Sequence, residues 1–91
     1  MALLFDPLRI RDVTIPNRVM ISPMCQYSAA ADGFATDWPL AHYGRLAMGG
    51  AGLVMTEATS IVPRGRLSYG DLGIWSDDHV PGLARIAAFL K

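Results

Sequence analysis

The stretch that most constrains this chain is Val19-Met20-Ile21 running into Ser22-Pro23-Met24-Cys25-Gln26-Tyr27-Ser28. An apolar run without polar alternation reads as a strand buried on both faces, the habit of a parallel sheet covered by helices. Pro23 stops it, because proline cannot donate to a ladder and is expelled from strand interiors. The serine, thiol and phenol therefore sit at the carboxyl end of a buried parallel strand. In α/β sheets and barrels that edge is where ligands bind.

The surrounding chain supports a parallel sheet. Upstream, Leu8-Arg9-Ile10 and Val13-Thr14-Ile15 flank a short polar break at Arg11-Asp12, which predicts a hairpin. Pro16-Asn17 then turns the chain into the central strand. Downstream, Ser28 to Thr36 is a small polar loop with Asp32-Gly33 as its turn signal. Thr36 or Asp37 caps a helix that accommodates Pro39 in its first turn. Leu40, Tyr43, Leu46 and Ala47 fall on one stripe of that helix, and Gly49-Gly50 ends it. Ala51 to Ala58 reads as a second buried strand with its polar residues gathered at the far end. Strand, helix and strand in about 40 residues make a βαβ unit. Its strands run parallel, so Ser22–Cys25 and Thr56–Thr59 meet at one edge.

Residues 59–75 read as a long loop carrying Pro63, Gly65, Gly70, Gly73, Arg64 and Arg66. Ser76-Asp77-Asp78 caps a second helix with Pro81 in its first turn. Val80, Leu83, Ala87 and Leu90 recur at helical spacing there, with Ile86 widening the stripe. No stop signal follows at Lys91, and a third strand is what such a sheet needs next.

Composition narrows the class of partner. Eight basic and eight acidic residues in 91 cancel, which argues against nucleic acid or an acidic membrane surface. Apolar residues reach 52 % and charged ones only 18 %, rich enough that part of this surface expects a neighbour. One cysteine excludes an internal disulfide and leaves no Cys pair for zinc, and His42 and His79 are far apart, so no metal site is expected. The opening Met1-Ala2-Leu3-Leu4-Phe5 lacks a basic region and breaks at Asp6-Pro7, unlike a signal peptide. No window approaches a membrane span. A soluble cytoplasmic protein is the expectation.

Each candidate site residue has two readings. Cys25 is a redox-active or cofactor-contacting thiol, or a small buried side chain. Tyr27 presents its hydroxyl to a ligand or lids the strand end. Glu57 is a catalytic base or a structural hydrogen-bond acceptor beside Thr56 and Thr59. His42 reads as a structural histidine. Arg64 and Arg66 grip phosphate or face solvent. Gly49-Gly50-Ala51-Gly52 precedes a strand, whereas phosphate loops follow one and open a helix.

Taken together, Leu4-Phe5-Asp6-Pro7-Leu8, Ile15-Pro16-Asn17-Arg18, Ser22-Pro23-Met24-Cys25-Gln26-Tyr27-Ser28, His42-Tyr43-Gly44, Thr56-Glu57-Ala58-Thr59, Gly65-Arg66 and Asp71-Leu72-Gly73-Ile74-Trp75 resemble the N-terminal quarter of the Old Yellow Enzyme family. These are the FMN-dependent ene-reductases, or NADPH dehydrogenases. The Ser-Pro-Met-Cys form is similar to the bacterial, often thermostable subgroup, where other branches carry threonine at the cysteine position. Pro39 follows Trp38 where relatives often show histidine, which weakens that subgroup placement.

The resemblance implies an α/β fold in which residues 1–91, a β-hairpin plus two βα units, are the N-terminal portion of a TIM (β/α)8 barrel. It implies FMN lined by Ser22, Pro23, Met24 and Cys25, with Ala58 near the flavin's carbonyl edge. Cys25 would tune the flavin's potential, and Tyr27 would face the substrate. The implied reaction passes hydride from NADPH through FMN to the C=C bond of an α,β-unsaturated carbonyl compound. A complete barrel takes roughly 200–250 residues, so the family's carbonyl-holding His/Asn pair, its proton-donating tyrosine and its flavin-phosphate grip would lie on the rest of the barrel, as a second polypeptide or a further segment. This chain alone is expected to be inactive. Two alternatives remain: a non-catalytic quarter-barrel module that self-associates or binds a partner through open sheet edges, and a fragment of a related dienoyl-CoA reductase or amine dehydrogenase.

Overall fold

The computed structural model describes residues 3–91. Met1 and Ala2, which open the stretch read above as unlike a signal peptide, lie outside the described residues. The expected hairpin forms from β1 (Leu8–Ile10) and β2 (Val13–Ile15), antiparallel with Leu8 opposite Ile15 and Ile10 opposite Val13. Arg11 takes the left-handed turn position, φ 52°, and its carbonyl accepts from Arg9 Nε at 2.8 Å. Of the hairpin's apolar residues only Ile15 is buried.

The parallel unit is present. β3 (Met20–Ile21) pairs with β4 (Leu53–Val54), Met20 opposite Leu53 and Ile21 opposite Val54. Between them runs α1 (Asp37–Met48), whose Thr36 hydroxyl accepts from the Trp38 N–H and satisfies a donor the first turn leaves free. Pro39 occupies the first turn as expected, and Gly50 follows at φ 101°.

Burial of these strands differs from the expectation. Met20 is 53 % exposed, Leu53 37 % and Met55 44 %, while Ile21 and Val54 on the opposite face are half-buried. A two-stranded sheet offers one protected face, and nothing among the described residues covers the other. The regular strands are also shorter than Ala51 to Ala58 suggested, because Pro23, two residues past the end of β3, cannot donate to a longer ladder.

Residues 59–75 are a second correction. They contain β5 (Thr59–Ser60) and β6 (Leu72–Gly73), which pair in parallel through a tight excursion with a 3₁₀ turn at Pro63–Gly65. Asp71 ties the excursion together. Wholly buried, it accepts from the Leu67 N–H at 2.7 Å, the Ser68 N–H at 3.3 Å and the Ser68 hydroxyl at 3.0 Å.

The second helix is entered through a 3₁₀ turn (Asp77–His79) and continues as α2 (Val80–Leu90). Of the stripe read from the sequence, Ile86 is buried, Leu83 and Leu90 are half-buried, and Val80 and Ala87 are exposed. With Tyr43, Leu72 and Ile74, the covered residues line an apolar hollow of about 310 Å³ beneath α2. Gly44 lets the helices close up: a Cβ there would stand 2.6 Å from the Phe89 ring. The Arg85–Asp37 ion pair at 2.8 Å across the helices is largely exposed to solvent and contributes at most about 1 kcal/mol.

Among the described residues the buried large apolar side chains are few: Ile15, Tyr43, Leu72 and Ile86. The chain exposes 6377 Å², against about 5,200 Å² for a folded chain of this size. Its radius of gyration is 14.5 Å, where a closed domain would have about 12 Å. The apolar excess seen in the composition is accordingly on the surface.

Candidate active site at the strand ends

The register of β3 and β4 sends Ser22–Cys25 and Met55–Ala58 off the sheet at the same edge. Ser22, Pro23, Met24 and Ala58 are exposed there, and Cys25 is a half-buried free thiol. These five residues form two adjacent ledges, as the sequence led us to expect. Tyr27 stands beyond them at φ 55°, its side chain 65 % exposed, so it lids nothing in this chain. Its backbone is packed against Gly70, where a Cβ would fall 2.6 Å from the Tyr27 carbonyl oxygen.

Behind the ledges Glu57 is buried, and it acts there as a hydrogen-bond acceptor. The Tyr43 hydroxyl donates to Oε1 at 2.8 Å, and the Gln26 N–H donates to Oε2 at 3.2 Å. The Glu57 N–H in turn donates to the Tyr43 hydroxyl at 2.7 Å. Burial is the main cause that pushes the Tyr43 phenol well above its ordinary pKa. The Glu57 N–H opposes this, and the Glu57 carboxylate adds to it. The Gln26 side chain accepts from Trp38 Nε1 at 3.1 Å, which ties the first ledge to the start of α1.

His42 is half-buried with its ring edge-on to Tyr43 at 5.1 Å, in line with a structural role. Arg66 lies over the rings of Tyr69 and Trp75, at 5.2 and 5.4 Å, and donates to the Pro63 carbonyl. It is a brace for the excursion, while Arg64 remains exposed.

Two residues escaped sequence reasoning. His79 is buried between Phe34 and Trp75, with both ring centroids at 4.7 Å. Its Nδ1 accepts from the Ser76 N–H at 3.2 Å, so Nε2 carries the proton and donates to the Asp32 carbonyl at 2.7 Å. It thereby joins the entry of α2 to the Ala31–Gly33 turn. The signal was there, since His79 holds the capping-box position three residues after Ser76. Asn17 is the other, bonding to Val19, Gly50 and Gly52 beneath the sheet.

The ledges suit a flat, acceptor-rich ring. The thioether of Met24 offers apolar contact, and no described acceptor takes the backbone N–H of Cys25 or Ala58. In α/β barrels the carboxyl ends of the parallel strands are the edge at which ligands and cofactors bind. The chain belongs to the NADH:flavin oxidoreductase / NADH oxidase family, whose signature matches residues 3–91. It is 51 % identical over 89 residues to an NADPH dehydrogenase of Bacillus cytotoxicus, a match covering 97 % of this chain and 26 % of that protein. An NADPH dehydrogenase of Geobacillus sp. is 49 % identical over 90 residues, covering 98 % of this chain and 26 % of that protein. Among solved structures, a variant of NCR from Zymomonas mobilis superposes with a TM-score of 0.90 at 33 % identity, over 99 % of this chain and 29 % of that one. The Old Yellow Enzyme from Pichia sp. AKU4542 gives 0.86 at 28 %, over 96 % and 22 %. The chain thus spans about a quarter of the length of the curated relatives it matches. The fold is that of the corresponding α/β portion of a TIM barrel.

Proposed function

We propose that residues 1–91 are the N-terminal quarter of an FMN-dependent ene-reductase that takes its reducing equivalents from NADPH. The observation that carries this reading is the pair of ledges at the carboxyl ends of β3 and β4, in a chain matched by a flavin oxidoreductase family from end to end of its described residues. The names of the NADPH dehydrogenase relatives support the choice of reductant. Bound FMN would supply hydride transfer between NADPH and the C=C bond of an α,β-unsaturated carbonyl compound. Ser22, Pro23, Met24 and Cys25 form the floor for the ring, the Cys25 and Ala58 N–H groups serve its polar edge, and Tyr27 reaches toward the substrate from its exposed position. The open face of Met20, Leu53 and Met55 packs against the remainder of the barrel, supplied by the same polypeptide or by a second one. Among the described residues no helix is long and apolar enough to cross a membrane. A cytoplasmic location belongs to the same reading.

The test is native mass spectrometry of the purified protein that carries this chain, with visible absorbance recorded in parallel. A yellow FMN complex that oxidises NADPH faster when 2-cyclohexenone is added supports the reading. A colourless protein would overturn it in favour of a non-catalytic module built on the exposed sheet edge.

A further inference from the structure

Among the described residues three acidic or imidazole side chains are buried: Glu57, Asp71 and His79. Asp71 serves its own excursion, and His79 joins two turns. Glu57 differs, because its partners come from α1 and from the end of β3, while its own backbone continues into the second ledge.

Gln26 and Glu57 are the two strand-end residues that the Tyr43–Glu57 unit holds, and Cys25 and Ala58 are their immediate chain neighbours. The peptide joining Cys25 to Gln26 is planar, so anchoring the Gln26 N–H on Oε2 also fixes the Cys25 carbonyl and the direction of the first ledge. The Glu57 N–H, held on the Tyr43 hydroxyl, fixes the residue from which the Ala58 N–H projects. One phenol and one carboxylate thus set the spacing of both ledges from behind.

We propose that Tyr43 and Glu57 are positioning residues for the flavin site, holding Cys25 and Ala58 in register with each other and placing a buried carboxylate on the Gln26 N–H, next in the chain to the thiol residue. The proposal rests on the flavin reading above for its redox consequence, whereas its claim about Cys25 does not. A buried anion opposes the arrival of further negative charge nearby.

The experiment uses the full-length protein, loaded with FMN, as wild type, Glu57→Gln and Tyr43→Phe. In the folded fraction of Glu57→Gln, the flavin midpoint potential moves in the positive direction and kcat falls about tenfold while KM for NADPH stays within about twofold, as expected for lost alignment. Iodoacetamide alkylates Cys25 at least about threefold faster in both variants, because the ledge opens locally. Should Tyr43→Phe fold poorly, Glu57→Gln, which keeps the side chain's size, decides the matter. A lowered Tm with unchanged potential and unchanged alkylation would reduce the pair to a structural role and overturn the proposal. A wild-type protein that binds no FMN overturns the flavin reading instead, and the alkylation rates then decide the positioning of Cys25 on their own.

Discussion

The Oδ1 atom of Asn17 accepts the backbone N–H of Gly52 at 2.9 Å, and the Gly52 Cα approaches so closely that an added Cβ would stand 2.7 Å from the same oxygen. The same Asn17 oxygen accepts from the Val19 N–H, and its amide donates to the Gly50 carbonyl at 2.7 Å. One side chain therefore locks the start of β3 to the start of β4. Gly52→Ala would press on the Asn17 backbone and on Ile15 Cγ2 at 2.8 Å, and we expect a loss of about 1–3 kcal/mol by urea denaturation. Asn17→Ala, which orphans backbone groups without a clash, should cost a similar amount. A neutral Gly52→Ala would show that the approach relaxes freely.

Tyr43 makes stability pH-dependent on the alkaline side. Its folded-state pKa is raised above the ordinary value of 10, so above that pH the unfolded chain releases a proton that the folded chain retains. The folded state then holds more protons, and stability falls as pH rises from about 10. Tyr43→Phe lacks this group. At neutral pH it should be less stable than wild type by about 1–3 kcal/mol, since the Glu57 N–H and Oε1 lose their partner. The gap between the two proteins should narrow above pH 10 in denaturation curves taken at increasing pH. A constant gap would show that the phenol does not carry the alkaline slope.

His79→Phe retains a ring between Phe34 and Trp75 but removes both nitrogen contacts. Each backbone group left unsatisfied costs about 1–3 kcal/mol, so the melting temperature should drop by several degrees. Hydrogen exchange at the Ser76 amide should accelerate most. Equal stability of His79→Phe and wild type would mean that packing alone holds this joint.

Cys25→Ala tests the thiol's assigned part in flavin tuning. In the complete FMN-bound protein it should shift the flavin's midpoint potential while leaving the fold unchanged by circular dichroism, because the side chain is half-buried and carries no structural bond. An unchanged potential would remove Cys25 from that role.

Much of this architecture could be read from local chemistry. Thr36 and Ser76 cap where they were expected to, Pro39 and Pro81 fall in or beside first turns, and the hairpin turns at Arg11-Asp12. All of these are short-range rules. The misreadings concern distant partners. Burial of Met20 depends on what covers the second face of the sheet, which a periodicity cannot reveal. β5 and β6 are two residues each, too short for any pattern, and the segment between them is held by hydrogen bonds to Asp71 that no periodicity announces. Glu57 looked equally like a base because its partner Tyr43 is 14 positions away, on a helix whose rotation the sequence leaves open. The carboxyl end of β3 was itself legible, since proline termination of an apolar run marks a strand's end wherever the strand sits.

The pairing of Met20 with Leu53 also bears on the order of events during folding. These residues are 33 positions apart, and closing so long a flexible loop for two ladder steps is entropically unfavourable. Once α1 has formed, its 12 residues move as one rod and the loop is effectively shorter. The nascent chain should therefore acquire its capped helix first and zip the strands second. The thiol and the second ledge would then come together only at that late step.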